Sequence, residues 1–128
     1  MSNRLRTRIK EGENKPTRYY SKKQEDSVAK ELGGKRTSNS GATLFSKGDV
    51  NTSDFLIECK TKTTLSNSIS IKREWIDKNI KESLFMGKKY CSIAFNFGPD
   101  QPNYYIIDEY LMKFLMEQLK GEHNNEEK

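Results

Sequence analysis

The sequence predicts an α/β domain: a mixed β-sheet flanked by helices. Three observations carry that expectation. Helical and strand-like stretches alternate in the order α-β-β-β-α-β-β-α, which favours helices packed on a sheet. The run "YCSIAFNF" (90–97) is nearly continuous apolar, as expected of a central strand covered on both faces. And 128 residues suit one domain with one core. Within that length the reading assigns 1–18 to a flexible basic arm, 19–119 to the folded domain and 120–128 to a disordered acidic tail.

The arm "MSNRLRTRIKEGENKPTR" has no apolar periodicity, and Gly12 and Pro16 interrupt any helix there. It is basic but lacks an apolar core, so no secretory signal is expected, and Glu11 and Glu13 argue against a transit peptide. The first helix is expected from Ser21, because "SKKQ" has the Ser-x-x-Gln form of a capping box. Gly33-Gly34 should end it. Val28, Ala29 and Leu32 fall on one face, and Glu25 borders that face. Residues 35–50 read as loop with short strand pieces near 35–37 and 47–50. "DFLIECKTK" (54–62) is the clearest strand. A second helix is expected over about 71–86, with Ser70 as cap and Ile76, Ile80 and Leu84 at four-residue spacing. These, with Trp75, suit a core face or a dimer surface. After "YCSIAFNF", "GPDQP" is a turn, "NYYIID" a strand, and "EYLMKFLMEQL" a last amphipathic helix.

Composition narrows the function classes. Hydrophobic residues make up 33% and charged residues 32%, with a net charge of +5, so part of the chain is expected to stay unpacked. No apolar run approaches the length of a membrane span. The positive charge clusters in "NRLRTRIK" and in "KTKTTLSNSISIKR", which favours nucleic acid as a partner. Cys59 and Cys91 have no CxxC spacing, and the one histidine, His123, lies in the polar tail. A structural zinc site is therefore not expected. The thiols read as small core residues, with a disulfide only if their strands adjoin.

The strand at 55–60 contains the informative departure. Glu58 and Lys60, two residues apart, must share one face. If 47–52 and 55–60 form a hairpin turning at Ser53-Asp54, then residue 52 pairs with 55, 51 with 56, 50 with 57, and 49 with 58. Asp49 then faces Glu58 with Cβ atoms roughly 4.5–5.5 Å apart. Carboxylates that close repel each other unless a cation or proton lies between them. Oxygen donors with room for water suit Mg²⁺. Lys60 can then orient a water or offset phosphate charge. Asp54 is too far along the strand from Glu58, roughly 13 Å, and reads as a turn residue. A surface ion pair for Glu58 and Lys60, and a solvent-facing Glu25, remain the plainer alternatives.

Glu25 on the first helix, "SGA" (40–42), "KGDV" (47–50) and "IECK" (57–60) resemble the PD-(D/E)XK nuclease superfamily. The likeness is to small phage and archaeal Holliday junction resolvases and to phage recombination endonucleases, over about residues 21–97. The resemblance implies a restriction-endonuclease-like fold and a metal-dependent, structure-specific DNA endonuclease of the bacterial or phage-infected cytoplasm. Glu25, Asp49 and Glu58 would bind Mg²⁺, or Mn²⁺ in its place, and Lys60 would assist the attacking water. Gly48 stands where the superfamily usually has proline. The resemblance further implies a homodimer acting on a four-way DNA junction. Arg36, Ser38, Ser40, Lys47, Lys62, Thr63 and Ser66 are candidates for phosphate contact, which positions DNA without reading its sequence; as loop residues they need no such role. Another nuclease of the same fold and a non-catalytic DNA-binding module are the rival functions.

Overall fold

The computed structural model describes residues 15–37 and 49–127, with the side chains of 124–127 excepted. Its elements follow the expected order: α1 (Thr17–Leu32), β1 (Lys35–Arg36), β2 (Val50–Asn51), β3 (Phe55–Lys60), α2 (Arg73–Phe85), β4 (Tyr90–Phe95), β5 (Tyr104–Ile106) and α3 (Glu109–Glu127). The five strands form one mixed sheet in the order β1-β2-β3-β4-β5. β3 and β4 are parallel and every other pair is antiparallel. A parallel pair needs a crossover, and α2 provides it.

α1 starts earlier than its capping-box pattern predicts. Pro16 is extended (φ −63°, ψ 151°) at the N-cap, no side chain caps the helix, and the Tyr19 N–H donates to Pro16 O at 2.9 Å. Ser21 lies within the helix, its hydroxyl donating back to Arg18 O at 3.1 Å. Thr17 and Arg18, read as arm, are therefore helical. Buried Tyr20 gives the first turn an anchor in the core that capping reasoning does not consider. The C-terminus is as expected. Gly33 adopts the left-handed conformation (φ 68°), and the Gly34 N–H donates to Ala29 O at 2.8 Å. Gly34 is also sterically required, because a Cβ there would lie 2.7 Å from Asn51 O.

Side chains of β3 alternate between two environments. Ile57 and Cys59 join Val28, Val50 and Ala94 in the buried apolar cluster, with Ala29 and Phe55 packed against it. The opposite face, Leu56, Glu58 and Lys60, meets α2. That helix corrects two expectations. It begins at Arg73, with Lys72 rather than Ser70 at the N-cap and no side-chain cap. It also turns Asn79 and Ser83 inward and leaves Ile76, Ile80 and Leu84 exposed, so these three are not core. Asn79 Nδ2 donates to Leu56 O at 3.4 Å, and Ser83 Oγ to Ile80 O at 2.8 Å. The sheet face opposite is itself partly polar, so a polar helix stripe packs there.

α3 runs through residue 127, past Leu119, where the sequence turns polar. Residues 120–127, read as a disordered tail, thus continue the helix although Gly121, Asn124 and Asn125 are poor helix formers. Leu111 is buried and Phe114 stacks near Tyr90 with ring centroids 6.1 Å apart. Cys59 and Cys91 are both free. Their strands adjoin, but Cys91 pairs with Leu56 and Cys59 with Ala94, which puts the thiols on opposite faces of the sheet. Among the described residues no helix is long and apolar enough to cross a membrane.

Candidate active site

The hairpin that creates the acid cluster has the register derived from the sequence: Val50 pairs with Ile57 and Asn51 with Leu56. Its turn is closed by the Thr52 N–H donating to Phe55 O at 3.0 Å. Thr52 Oγ1 also accepts from the N–H groups of Asp54 and Phe55. Asp54 is thereby the turn residue it was read to be.

At Asp49 the ladder slips. The Asp49 N–H donates to Ile57 O at 3.2 Å, and its own carbonyl accepts from the Thr37 N–H at 2.9 Å. Its carboxylate Oδ2 accepts from the Cys59 N–H at 2.7 Å. A side chain thus replaces a main-chain acceptor, which locks the carboxylate against β3 between Glu58 and Lys60. The simple 49–58 cross-strand pair of the sequence reading does not form as such, yet Asp49 ends up beside the same segment.

Glu58 is 7% exposed. Burial pushes its carboxyl above the usual glutamate range and the charge of Asp49 adds to that; Lys78 and Lys60 pull the other way. The two ammonium groups lie 3.5 Å (Lys60) and 4.0 Å (Lys78) from Glu58 Oε1. Lys60 is itself held, its Nζ 4.6 Å from the centroid of the Trp75 ring. Trp75 therefore seats the lysine beside the acids.

Glu25 lies in the buried face of α1, 3% exposed. Arg18 donates to its Oε2 at 2.8 Å. Burial raises the Glu25 carboxyl and Arg18 opposes it, while Asp49 again adds repulsion. The Cys59 thiol, raised first by burial, feels the charges of Asp49, Glu25 and Glu58 together. Cys59 is thus the point around which the three acids from α1, the β2 edge and β3 are arranged.

Among the described residues no three His, Cys, Asp or Glu side chains converge into a ready-made metal cage. Mg²⁺ does not need one. It keeps several waters and commonly takes only one or two carboxylates, with substrate phosphates completing the shell. Asp49 and Glu58 supply hard oxygen donors, and their repulsion is what a cation would relieve. The donor chemistry therefore fits a hard divalent ion. Glu25, tied to Arg18, stands behind this pair.

The candidate phosphate contacts divide. Arg36 is half-buried and pairs with Asp26 at 3.2 Å, and its Nη1 is buried without a hydrogen-bond partner, so it is turned into the protein. Lys62, Thr63 and Ser66 follow β3, with Thr63 exposed. Ser66 shapes the loop, its hydroxyl donating to Ser68 O at 2.8 Å. Ser38, Ser40 and Lys47 lie outside the described residues. Sequence reasoning missed Lys78, Trp75 as the seat of Lys60, and Gln24. Lys78 and Trp75 are three apart on α2, a spacing that puts them on one side of a helix. Gln24 is four residues from Val28, a spacing that marks it as inward-facing.

Compared with family models, with curated proteins and with solved structures, the chain matches none.

Proposed function

We propose that the protein is a divalent-metal-dependent DNA endonuclease of the PD-(D/E)XK type, with a restriction-endonuclease-like sheet and a branched, four-way junction as substrate. The observation that supports this most is Asp49. Its carboxylate is fixed by the Cys59 N–H at 2.7 Å and raises the proton affinity of buried Glu58, with Lys60 one pleat along. A protein that only bound phosphate would gain nothing from buried, mutually repelling acids next to its basic strand.

Asp49 and Glu58 would hold Mg²⁺ or Mn²⁺, with Glu25 in support. The ion would supply Lewis-acid stabilisation of the charge that builds on a phosphodiester under attack by water. The chain's own groups do the rest. Lys60, seated on Trp75, keeps a fixed positive charge beside the acids, where it orients the attacking water and offsets phosphate charge. Lys78 adds a second, more mobile cation on the same side. Arg18 offsets the charge of Glu25. Lys62 and Thr63 extend from the end of β3 as backbone contacts.

A second copy of the chain fits the exposed side of α2 and α3. Ile80 is 42% exposed and Leu84 72%. On α3, Met112, Leu115, Met116 and Leu119 are 53%, 43%, 51% and 50% exposed. α3 carries Lys113 and Lys120 against Glu109, Glu117, Glu122, Glu126 and Glu127, a net negative charge that disfavours DNA and an anionic membrane. A twofold dimer would bury this same apolar patch on both copies. A dimer would also supply one site for each strand of a junction.

The test is cleavage of labelled four-way junction, fork, duplex and single-stranded DNA with Mg²⁺ or Mn²⁺, with Glu58→Ala alongside. Paired nicks in the junction alone, lost in the variant while binding persists, are the expected result. Cutting of every substrate would keep the nuclease and remove the junction. No cutting by folded, metal-loaded protein would end the catalytic reading.

A further inference from the structure

The sheet has a second feature that the acid cluster does not use. β3 and β4 are its parallel pair, and in α/β sheets ligands collect beyond the carboxyl ends of parallel strands. Thr61 and Asn96, the residues directly after those two strands, line a cavity of about 210 Å³ there. Tyr20, Gln24 and Ser27 of α1 and Gln101 and Asn103 of the 96–103 loop complete its wall.

The lining also includes Lys23 and Asp100, which pair with each other, and is otherwise uncharged and rich in amides. Thr61 Oγ1 donates to Asn96 Oδ1 at 2.6 Å. The remaining side-chain bonds in the wall are long: Gln24 to Asn103 at 3.2 Å, Asn96 to Asn103 at 3.4 Å, and Asn103 to Ser27 at 3.5 Å. Gln24 is 4% exposed. Its Nε2 faces the main-chain oxygens of Lys60 (2.9 Å) and Ala94 (3.3 Å), which fixes which end of the amide carries the nitrogen. Its Oε1 is then left buried with no hydrogen-bond partner. A buried acceptor without a donor is rare in folded proteins and requires an explanation. At the rim Lys23 pairs with Asp100, which holds a positive φ of 62°.

We infer that this cavity receives one unpaired nucleobase of the DNA; the inference rests on the nucleic-acid reading above. Its walls offer paired donors and acceptors, as the edge of a base requires, and an amide is the side chain that presents both. The two charged residues of the lining, Lys23 and Asp100, pair with each other, which suits a neutral base better than a phosphate. Gln24 Oε1, buried in that wall without a protein donor, would take an N–H of the base after a shift of its side chain. The cavity begins at Thr61, one residue beyond Lys60, at the end of β3. Branched DNA has unpaired or easily unpaired bases at its branch point, and a pocket of this kind would select such sites over continuous duplex.

The experiment compares two duplexes, one with a single bulged adenine and one with an abasic residue at the same place. Affinity is read by fluorescence anisotropy without divalent cation, and cleavage of both is followed in parallel with Mg²⁺. The bulged adenine is expected to bind about tenfold more tightly, the discrimination typical of one well-made base contact. That preference should vanish in Asn103→Ala and in Gln24→Leu. Because Gln24 also bonds main-chain carbonyls, Gln101→Ala at the exposed edge is the fold-neutral control variant and should reduce the preference. Equal affinity of the folded wild type for both duplexes would overturn the pocket, whose Gln24 would then be served by water. Cleavage with no base preference overturns the pocket and leaves the nuclease standing. A base preference without cleavage of these duplexes supports the pocket, and the nuclease reading is then decided by the four-way junction alone.

Discussion

The two faces of β3 are built on opposite principles. Towards α1, Ile57 and Cys59 meet Val28, Val50 and Ala94 in a closed apolar cluster. Towards α2, the same strand presents Leu56 and then Glu58 and Lys60, against Asn79, Ser83, Trp75 and Lys78. The first face gains stability from hydrophobic burial. The second buries one carboxylate, Glu58, that burial and Asp49 both make costlier to ionise. A strand that could have been apolar on both sides is instead charged on one, and that supports the proposed site on this face.

The contrast can be broken most sharply by chemistry. Glu58→Ala and Lys60→Ala should each lower junction cleavage by about 10²–10³-fold, the usual loss when a charge-stabilising group is removed. Single-turnover rates with Mg²⁺ measure this, and Trp75→Leu should give a smaller loss by unseating Lys60. On the apolar face, Ile57→Ala should cost about 2–5 kcal/mol in urea unfolding. Near-wild-type cleavage by whatever folded fraction remains would show that this face only supports the site.

On the charged face the sign of the stability change reverses. Glu58→Gln should stabilise the metal-free protein at neutral pH, read as a rise of a few degrees in Tm. Mg²⁺ at ten times its Kd should raise wild-type stability by about 1.4 kcal/mol and leave Glu58→Gln little changed.

The pH dependence follows from the same shifts. Glu25 and Glu58 have folded-state carboxyls raised above the ordinary glutamate value of 4.5. The folded protein therefore binds more protons than the unfolded chain just above that value. Their contribution to stability is full below pH 4.5 and is lost as pH rises through the folded values. The advantage of Glu58→Gln should accordingly shrink towards pH 4.5, and an equal advantage at both pH values would contradict the shift. The smallest effect on folding is expected at the other exposed surface. Leu115→Asp should leave the monomer fold intact and shift sedimentation from dimer to monomer.

Much of this was legible in the residues. The element order follows from periodicity, the 50–57 register from a two-residue turn, and Gly33 as helix stop from its freedom at positive φ. The register and side-chain alternation pointed Asp49 towards Glu58, but the direct 49–58 pair they predict does not form. What the sequence could not hold is how one element chooses its neighbour. Ile76, Ile80 and Leu84 have the spacing of a core stripe, but the sheet face opposite α2 is partly polar, so Asn79 and Ser83 face inward instead. Ser21 has the pattern of a cap, but buried Tyr20 draws the helix start back to Thr17. Asp49 turns its carboxylate to the Cys59 N–H because the ladder slips there. Gln24 looks like any polar helix residue until α1 lies across the ends of β3 and β4. Local pattern sets which residues share a face. Only tertiary packing sets what that face meets, because burial and charge are properties of the surroundings and not of the residue.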